Sequence, residues 1–158
     1  MVDLRARAWA IAAAVVDPEI PVLTIEDLGI LRHITVTNGT VEVAITPTYS
    51  GCPAMATIAL DVELALARAN LAARVITVLA PAWTTDWLTD ISRVKLLAYG
   101  IAPPPASGRR ALFGAETTAC PRCASLDTEK LSEFGSTSCK SLWRCLACLE
   151  PFDQFKCH

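Results

Sequence analysis

Between Asp3 and Val16 the apolar positions recur at helical spacing, with Leu4, Ala8, Ile11 and Val15 on one side and Arg5 and Arg7 on another. That period predicts an amphipathic helix. Asp17-Pro18-Glu19-Ile20-Pro21 stops it with a two-proline turn that fixes two carboxylates on a rigid loop, where solvated charge is the plain alternative to any role. Thr24 to Gly29 reads as a short helical turn ended by glycine. The period then changes to two. Leu31–Thr37 and Thr40–Thr46 flank Asn38-Gly39, a pair in which both residues tolerate positive φ, so the two segments form a hairpin. The two-residue loop sets Val36 opposite Val41, Ile34 opposite Val43, Thr35 opposite Glu42 and His33 opposite Ala44. His33 falls on the more polar side without an acidic partner, which reads as an exposed histidine rather than a base. Ala54 to Asn70 returns to helical spacing through Ile58, Val62 and Leu66, and Ala73–Ala80 is a β-branched third strand. Pro81-Ala82-Trp83 breaks it. Thr84, Thr85 or Asp86 can cap a third helix running to Tyr99 and ended by Gly100, with Trp87, Ile91 and Val94 as its buried side. Helix, strand, strand, helix, strand, helix is the order of an α+β domain, two layers with helices on one face of a small mixed sheet.

Cys52 stands where the second strand gives way to the second helix. Pro53 suits a first helical position, which makes Cys52 the N-cap. Serine, threonine, aspartate and asparagine are the usual caps, so the thiol points to another use. The free amides and positive end of a helix dipole favour thiolate, the form that binds metal or attacks. The alternative is a small buried apolar residue.

Ile101 to Gly108 carries three consecutive prolines followed by Ser and Gly, a semi-rigid spacer. The expected division is 1–100 for the α+β domain, 101–112 for the linker and 113–158 for a second, small domain. In that tail Cys120-Pro121-Arg122-Cys123 and Cys145-Leu146-Ala147-Cys148 are separated by 21 residues, the spacing of a four-cysteine ribbon. So short a segment has too little apolar mass to fold without a metal. Tetrahedral thiolate suits zinc, while iron and iron-sulfur clusters use the same ligands. Cys139 is expected to pack inside the ribbon hairpin, and Cys157 and His158 are left as frayed or as extra ligands.

Fifty-three per cent apolar and 19% charged residues describe a well-buried globular chain. Two C-x-x-C pairs without a leader or an apolar run long enough to span a bilayer point to a metal-binding, cytoplasmic protein rather than a disulfide-bonded or membrane one. The halves divided at Gly100 hold 7 basic and 10 acidic residues, then 7 and 6, so neither has the surplus that phosphate contacts require. Nothing near Cys52 suggests a Cys-His pair for thiol catalysis, and the chain has two histidines.

The loop at 17–21, Ile25-Glu26-Asp27-Leu28-Gly29-Ile30-Leu31-Arg32, Thr46-Pro47-Thr48-Tyr49-Ser50-Gly51-Cys52-Pro53 and Gly100-Ile101-Ala102-Pro103-Pro104 together resemble the PaaD-like proteins of aerobic phenylacetate degradation. Their first domain is shared with SufT-like iron-sulfur assembly factors. The ribbon, with Glu133-Phe134-Gly135-Ser136-Thr137 and Glu150-Pro151-Phe152-Asp153, is similar as well, so the likeness covers nearly the whole chain. The resemblance implies an accessory or maturation factor, not an enzyme, for the multicomponent phenylacetyl-CoA epoxidase. It would help assemble an iron-sulfur or iron centre, with Cys52 as the working thiol and transient cluster ligand. Asp17 and Glu19 match the family motif in a supporting loop. The partners implied are the oxygenase components or their iron-sulfur reductase, and the alternative is a stable structural subunit of that complex. Because one cysteine completes a metal site only with ligands from elsewhere, a homodimer is expected.

Overall fold

The computed structural model describes residues 3–105 and 117–156, and by internal contact the chain divides into two compact units, Met1–Trp83 and Thr84–His158. In the first unit Asp3 caps α1 (Leu4–Ala13) by accepting from the Arg5 amide at 3.1 Å. The helix is shorter than expected because the following backbone is taken by the next loop: the Ile25 amide donates to the Val15 carbonyl, and Val16 bridges Thr24. Its buried residues are Ala8, Ala12 and Ala13, small enough to let it close on β1 and on α2.

The hairpin of β1 (Leu31–Thr37) and β2 (Thr40–Ile45) has the predicted register, with Asn38 and Gly39 at φ of 50° and 79°. A bulge separates Leu31 from His33. α2 (Met55–Arg68) buries Ile58, Val62 and Leu66 and packs on α1 and on β3 (Ala73–Thr77), which pairs in parallel with β2. The mixed sheet has the order β1-β2-β3, the parallel step being the right place for an intervening helix. Trp83, buried, donates its indole N–H to the Leu28 carbonyl at 2.7 Å and anchors the end of the unit.

The second unit corrects two expectations. The third helix does not run from Thr84–Asp86: a 3-10 turn (Thr85–Trp87) comes first, and α3 (Asp90–Tyr99) starts where Thr89 accepts from the Ser92 amide at 3.1 Å. That start sets the phase of the helix. Ser92 and Leu96 are buried, whereas Ile91 and Val94, expected inside, are 65% and 66% exposed. Gly100 ends α3 at φ 87° as expected. The spacer also begins later than position 101, because Ile101–Ala102 form β4, paired in parallel with Asp153 and Gln154 of β7 (Pro151–Phe155). With β5 (Thr128–Ser132) and β6 (Lys140–Cys145) the order is β4-β7-β6-β5. α3 packs on β4, and Arg93 donates to the Pro104 and Thr85 carbonyls, so helix and ribbon belong to one unit. Ala102, Cys120, Trp143, Cys145 and Phe152 form its core. Residues 106–116 of the linker, with Cys157 and His158, lie outside the described residues. Among the described residues no helix is long and apolar enough to cross a membrane.

Candidate functional site

Two knuckle turns bring the ribbon cysteines together. In the first, the Ala124 amide donates to the Cys120 carbonyl and the Cys120 amide to the Ser125 carbonyl, both at 2.9 Å. In the second, the Cys145 amide donates to the Glu150 carbonyl at 3.0 Å and the Cys148 amide to Cys145 Sγ at 3.4 Å. The residue after each second cysteine, Ala124 and Leu149, has a left-handed backbone with φ of 62° and 63°. Glycine or asparagine would have advertised those turns; alanine and leucine conceal them.

The four sulfurs all lie within 4.8 Å of one another, with Cys120–Cys148 at 3.8 Å and Cys123–Cys145 at 3.5 Å. A Zn–S bond of about 2.3 Å in a tetrahedron requires sulfurs about 3.8 Å apart, so this donor set fits zinc. Electrostatics argue the same way. The amide of Cys148, then that of Ala147, pull the Cys145 thiol down to about 7. The Glu150 amide acts likewise on Cys148, but loss of water and the sulfurs of Cys145, Cys123 and Cys120 carry that thiol up to about 12. Four thiols this close cannot all ionise unless a cation neutralises them. Cys139 is elsewhere in the ribbon: it is buried, with Sγ 3.0 Å from Thr137 Oγ1.

In the first unit the charges of Glu19 and Asp17 bear on the Cys52 sulfur, three residues that the sequence holds apart. Asp17 is buried; its Oδ1 accepts from the amides of Glu19 at 2.8 Å and Ile20 at 2.9 Å, so the proline turn is pinned by its own carboxylate. The Asp17 amide donates to the Leu23 carbonyl, and Ile20 and Leu23 are core residues. Cys52, half-buried, follows a turn closed by its amide on the Tyr49 carbonyl at 3.2 Å. The helix proper starts at Met55, with Ala54 in the cap position, so Cys52 and Pro53 precede it rather than forming N-cap and first residue. The sulfur nevertheless accepts from the Ala54 and Met55 amides, which is the chemical job of a cap.

Those amides do not win. Burial pushes the Cys52 thiol up, and the carboxylates of Glu19 and then Asp17 add to the rise. The expectation of a depressed pKa from the helix end is therefore overturned: a dipole is worth little beside lost hydration and two nearby negative charges. What remains is a thiol within the electrostatic reach of two carboxylates, a field that a cation would offset; the ligand atoms that converge as a metal-sized group among the described residues are those of the ribbon cysteines. Gly51 plays no special part, since a Cβ there would meet only the Tyr49 ring, at 3.4 Å.

Residues 6–79 match the iron-sulfur cluster assembly protein family and residues 104–156 the PaaD zinc beta ribbon domain. The chain is 47% identical over 150 residues to an Escherichia coli K12 protein named as one of the subunits of 1,2-phenylacetyl-CoA epoxidase, covering 94% of this chain and 90% of that one. A solved structure from Bacillus anthracis, the domain of unknown function DUF59, superposes with a TM-score of 0.54 at 26% identity, over 58% of this chain and 90% of its own.

Proposed function

The chain belongs to the PaaD family, and on that premise we propose that it is a cytoplasmic maturation factor, not an enzyme, for a phenylacetyl-CoA epoxidase complex. Its task is to help assemble an iron-sulfur or iron centre in a component of that complex or in its iron-sulfur reductase. The observation that carries this reading is the Cys52 sulfur set against the Ala54 and Met55 amides with Glu19 and Asp17 as its anionic neighbours. Iron or a cluster is the cargo. Cys52 supplies the thiolate once a cation offsets the carboxylates, and Asp17, fixed by the Glu19 and Ile20 amides, holds the loop in place. In the second unit Cys120, Cys123, Cys145 and Cys148 hold zinc, which supplies the cross-link that a small core lacks. The working state is a homodimer.

Complementation of a strain lacking this protein tests the reading. Cys52→Ser keeps an acceptor for the two amides, so it should fold and hold zinc yet fail to restore oxygenase activity. Full restoration at normal protein level removes the cargo role. The name of the Escherichia coli relative favours a second reading, a permanent structural component of the oxygenase. Recovery with the oxygenase at fixed stoichiometry after gel filtration supports the permanent component; recovery only during maturation supports the factor.

A further inference from the structure

The mixed sheet has two outer strands, and their edges differ. The Val41 amide donates to the Ala72 carbonyl and the Val78 amide to the Ile45 carbonyl, so the odd residues of β2 bond to β3 and the even ones, Thr40, Glu42 and Ala44, face β1. Their partners there are Thr37, Thr35 and His33. It follows that the backbone N–H and C=O groups of Ile34 and Val36 point away from the sheet. Among the described residues no hydrogen bond uses them. On β3 the outward residues are Ala73, Val75 and Thr77, and there the edge is plugged: Glu63 of α2 accepts from the Val75 amide at 3.0 Å. Each chain therefore offers one edge that is open at Ile34 and Val36, past the bulge and past Leu31, whose amide the Ile25 carbonyl takes, and one closed by a carboxylate.

We propose that the β1 edge pairs antiparallel with the β1 edge of a second copy, about a two-fold axis at Ile34. This rests on the homodimer reading above and assigns its interface. In that register Ile34 faces its own counterpart and His33 faces Thr35, while the bulged Arg32 comes level with Val36, so no like charges meet. A register shifted by one residue toward the N-terminus would set His33 against His33. Val36 is 37% exposed, an apolar side chain on the outermost strand that pairing would cover. The resulting six-stranded sheet ends on Glu63 at both sides, which stops growth at two copies.

The test is the mass of the full, zinc-loaded chain by light scattering across a concentration series, with circular dichroism to confirm folding. Val36→Lys sets Lys against Arg32 and should raise the dimer dissociation constant at least tenfold. Val36→Pro removes only an outward N–H, leaves the β1–β2 ladder intact and should do the same. Arg32→Glu combined with Val36→Lys restores an attractive pair and should restore the dimer. If the wild type is a dimer and both single variants stay dimeric, this interface is overturned while the homodimer stands. A dimer that the single variants lose but the double variant does not regain overturns the register. A wild-type chain that is monomeric at every concentration, or whose β1 edge takes a strand of another protein instead, overturns the self-pairing.

Discussion

Cys52 shows how two influences of opposite sign are weighed at one residue. Two amides stabilise its thiolate, while burial, Glu19 and Asp17 oppose it, and the opposition prevails. The proton is thus held more tightly in the folded chain than in the unfolded one, so this group favours folding below the ordinary thiol range. That contribution falls away as pH rises through the unfolded value toward the raised folded one, and denaturant titrations at stepped pH should show stability declining on that alkaline side in wild type more than in Cys52→Ser. Alkylation gives a more direct measure. Glu19→Gln should speed iodoacetamide labelling of Cys52 near pH 8 by roughly two- to fivefold, because one of the raising charges is gone. Asp17→Asn keeps the Oδ1 acceptor for the Glu19 and Ile20 amides and should act in the same direction without loosening the loop. Unchanged rates in both variants would mean that the carboxylates do not act on the sulfur. Sequence alone could name all three residues, since a proline-locked Asp and Glu and a thiol before a helix are each unusual. It could not show that the charges of Asp17 and Glu19 bear on the Cys52 sulfur, because positions 17–19 and 52 come within electrostatic reach only through the fold.

At the scale of elements, the parts with short-range determinants were readable and the part with two competing starts was not. Asn38-Gly39 fixes a two-residue loop, so the hairpin pairs from Thr37 back to His33 followed from local turn chemistry, whereas the bulge that shifts Leu31 onto Ile45 did not. For α3 both Thr84–Asp86 and Thr89 could begin the helix, and each choice buries a different face. The Ser92 hydroxyl donating to the Thr89 carbonyl at 2.6 Å, with its amide on Thr89 Oγ1, locks the later start and turns Leu96 inward. The four ribbon cysteines were legible from spacing, whereas β4 was hidden inside a proline-rich run and is defined only by its pairing with β7. Urea unfolding of the zinc-loaded chain should separate the two faces of α3. Ile91→Ser and Val94→Ser should each change stability by less than about 0.5 kcal/mol, as surface positions do. Leu96→Ala should cost about 2–5 kcal/mol through a core cavity. The reverse pattern would restore the earlier phase.

For the whole molecule, the question is which segments depend on the metal. The second unit has a small core, two of whose five members are the cysteines Cys120 and Cys145, so withdrawing zinc removes the cross-link and leaves four crowded thiols. The first unit has its own core of Ile20, Leu23, Ile25, Ile34, Val43, Ile58, Val62 and Leu66, so it should stay folded when zinc is withdrawn. A division at the proline run would leave α3 with the first unit, and it would then survive chelation. The contacts say otherwise: α3 packs on β4, β4 pairs with β7, and Arg93 reaches the Pro104 carbonyl, so α3 should come apart with the ribbon. Trypsin reads the difference, because α3 contains Arg93 and Lys95. In strong chelator, cleavage should open at both positions and leave a resistant piece ending there, with Arg68 and Arg74 still protected inside α2 and β3. Adding zinc back before the protease, at about one ion per chain, should close both sites again. If the resistant piece instead runs past Arg93 and Lys95 to Arg109 in chelator, α3 folds without the ribbon and the proline run is the energetic boundary after all.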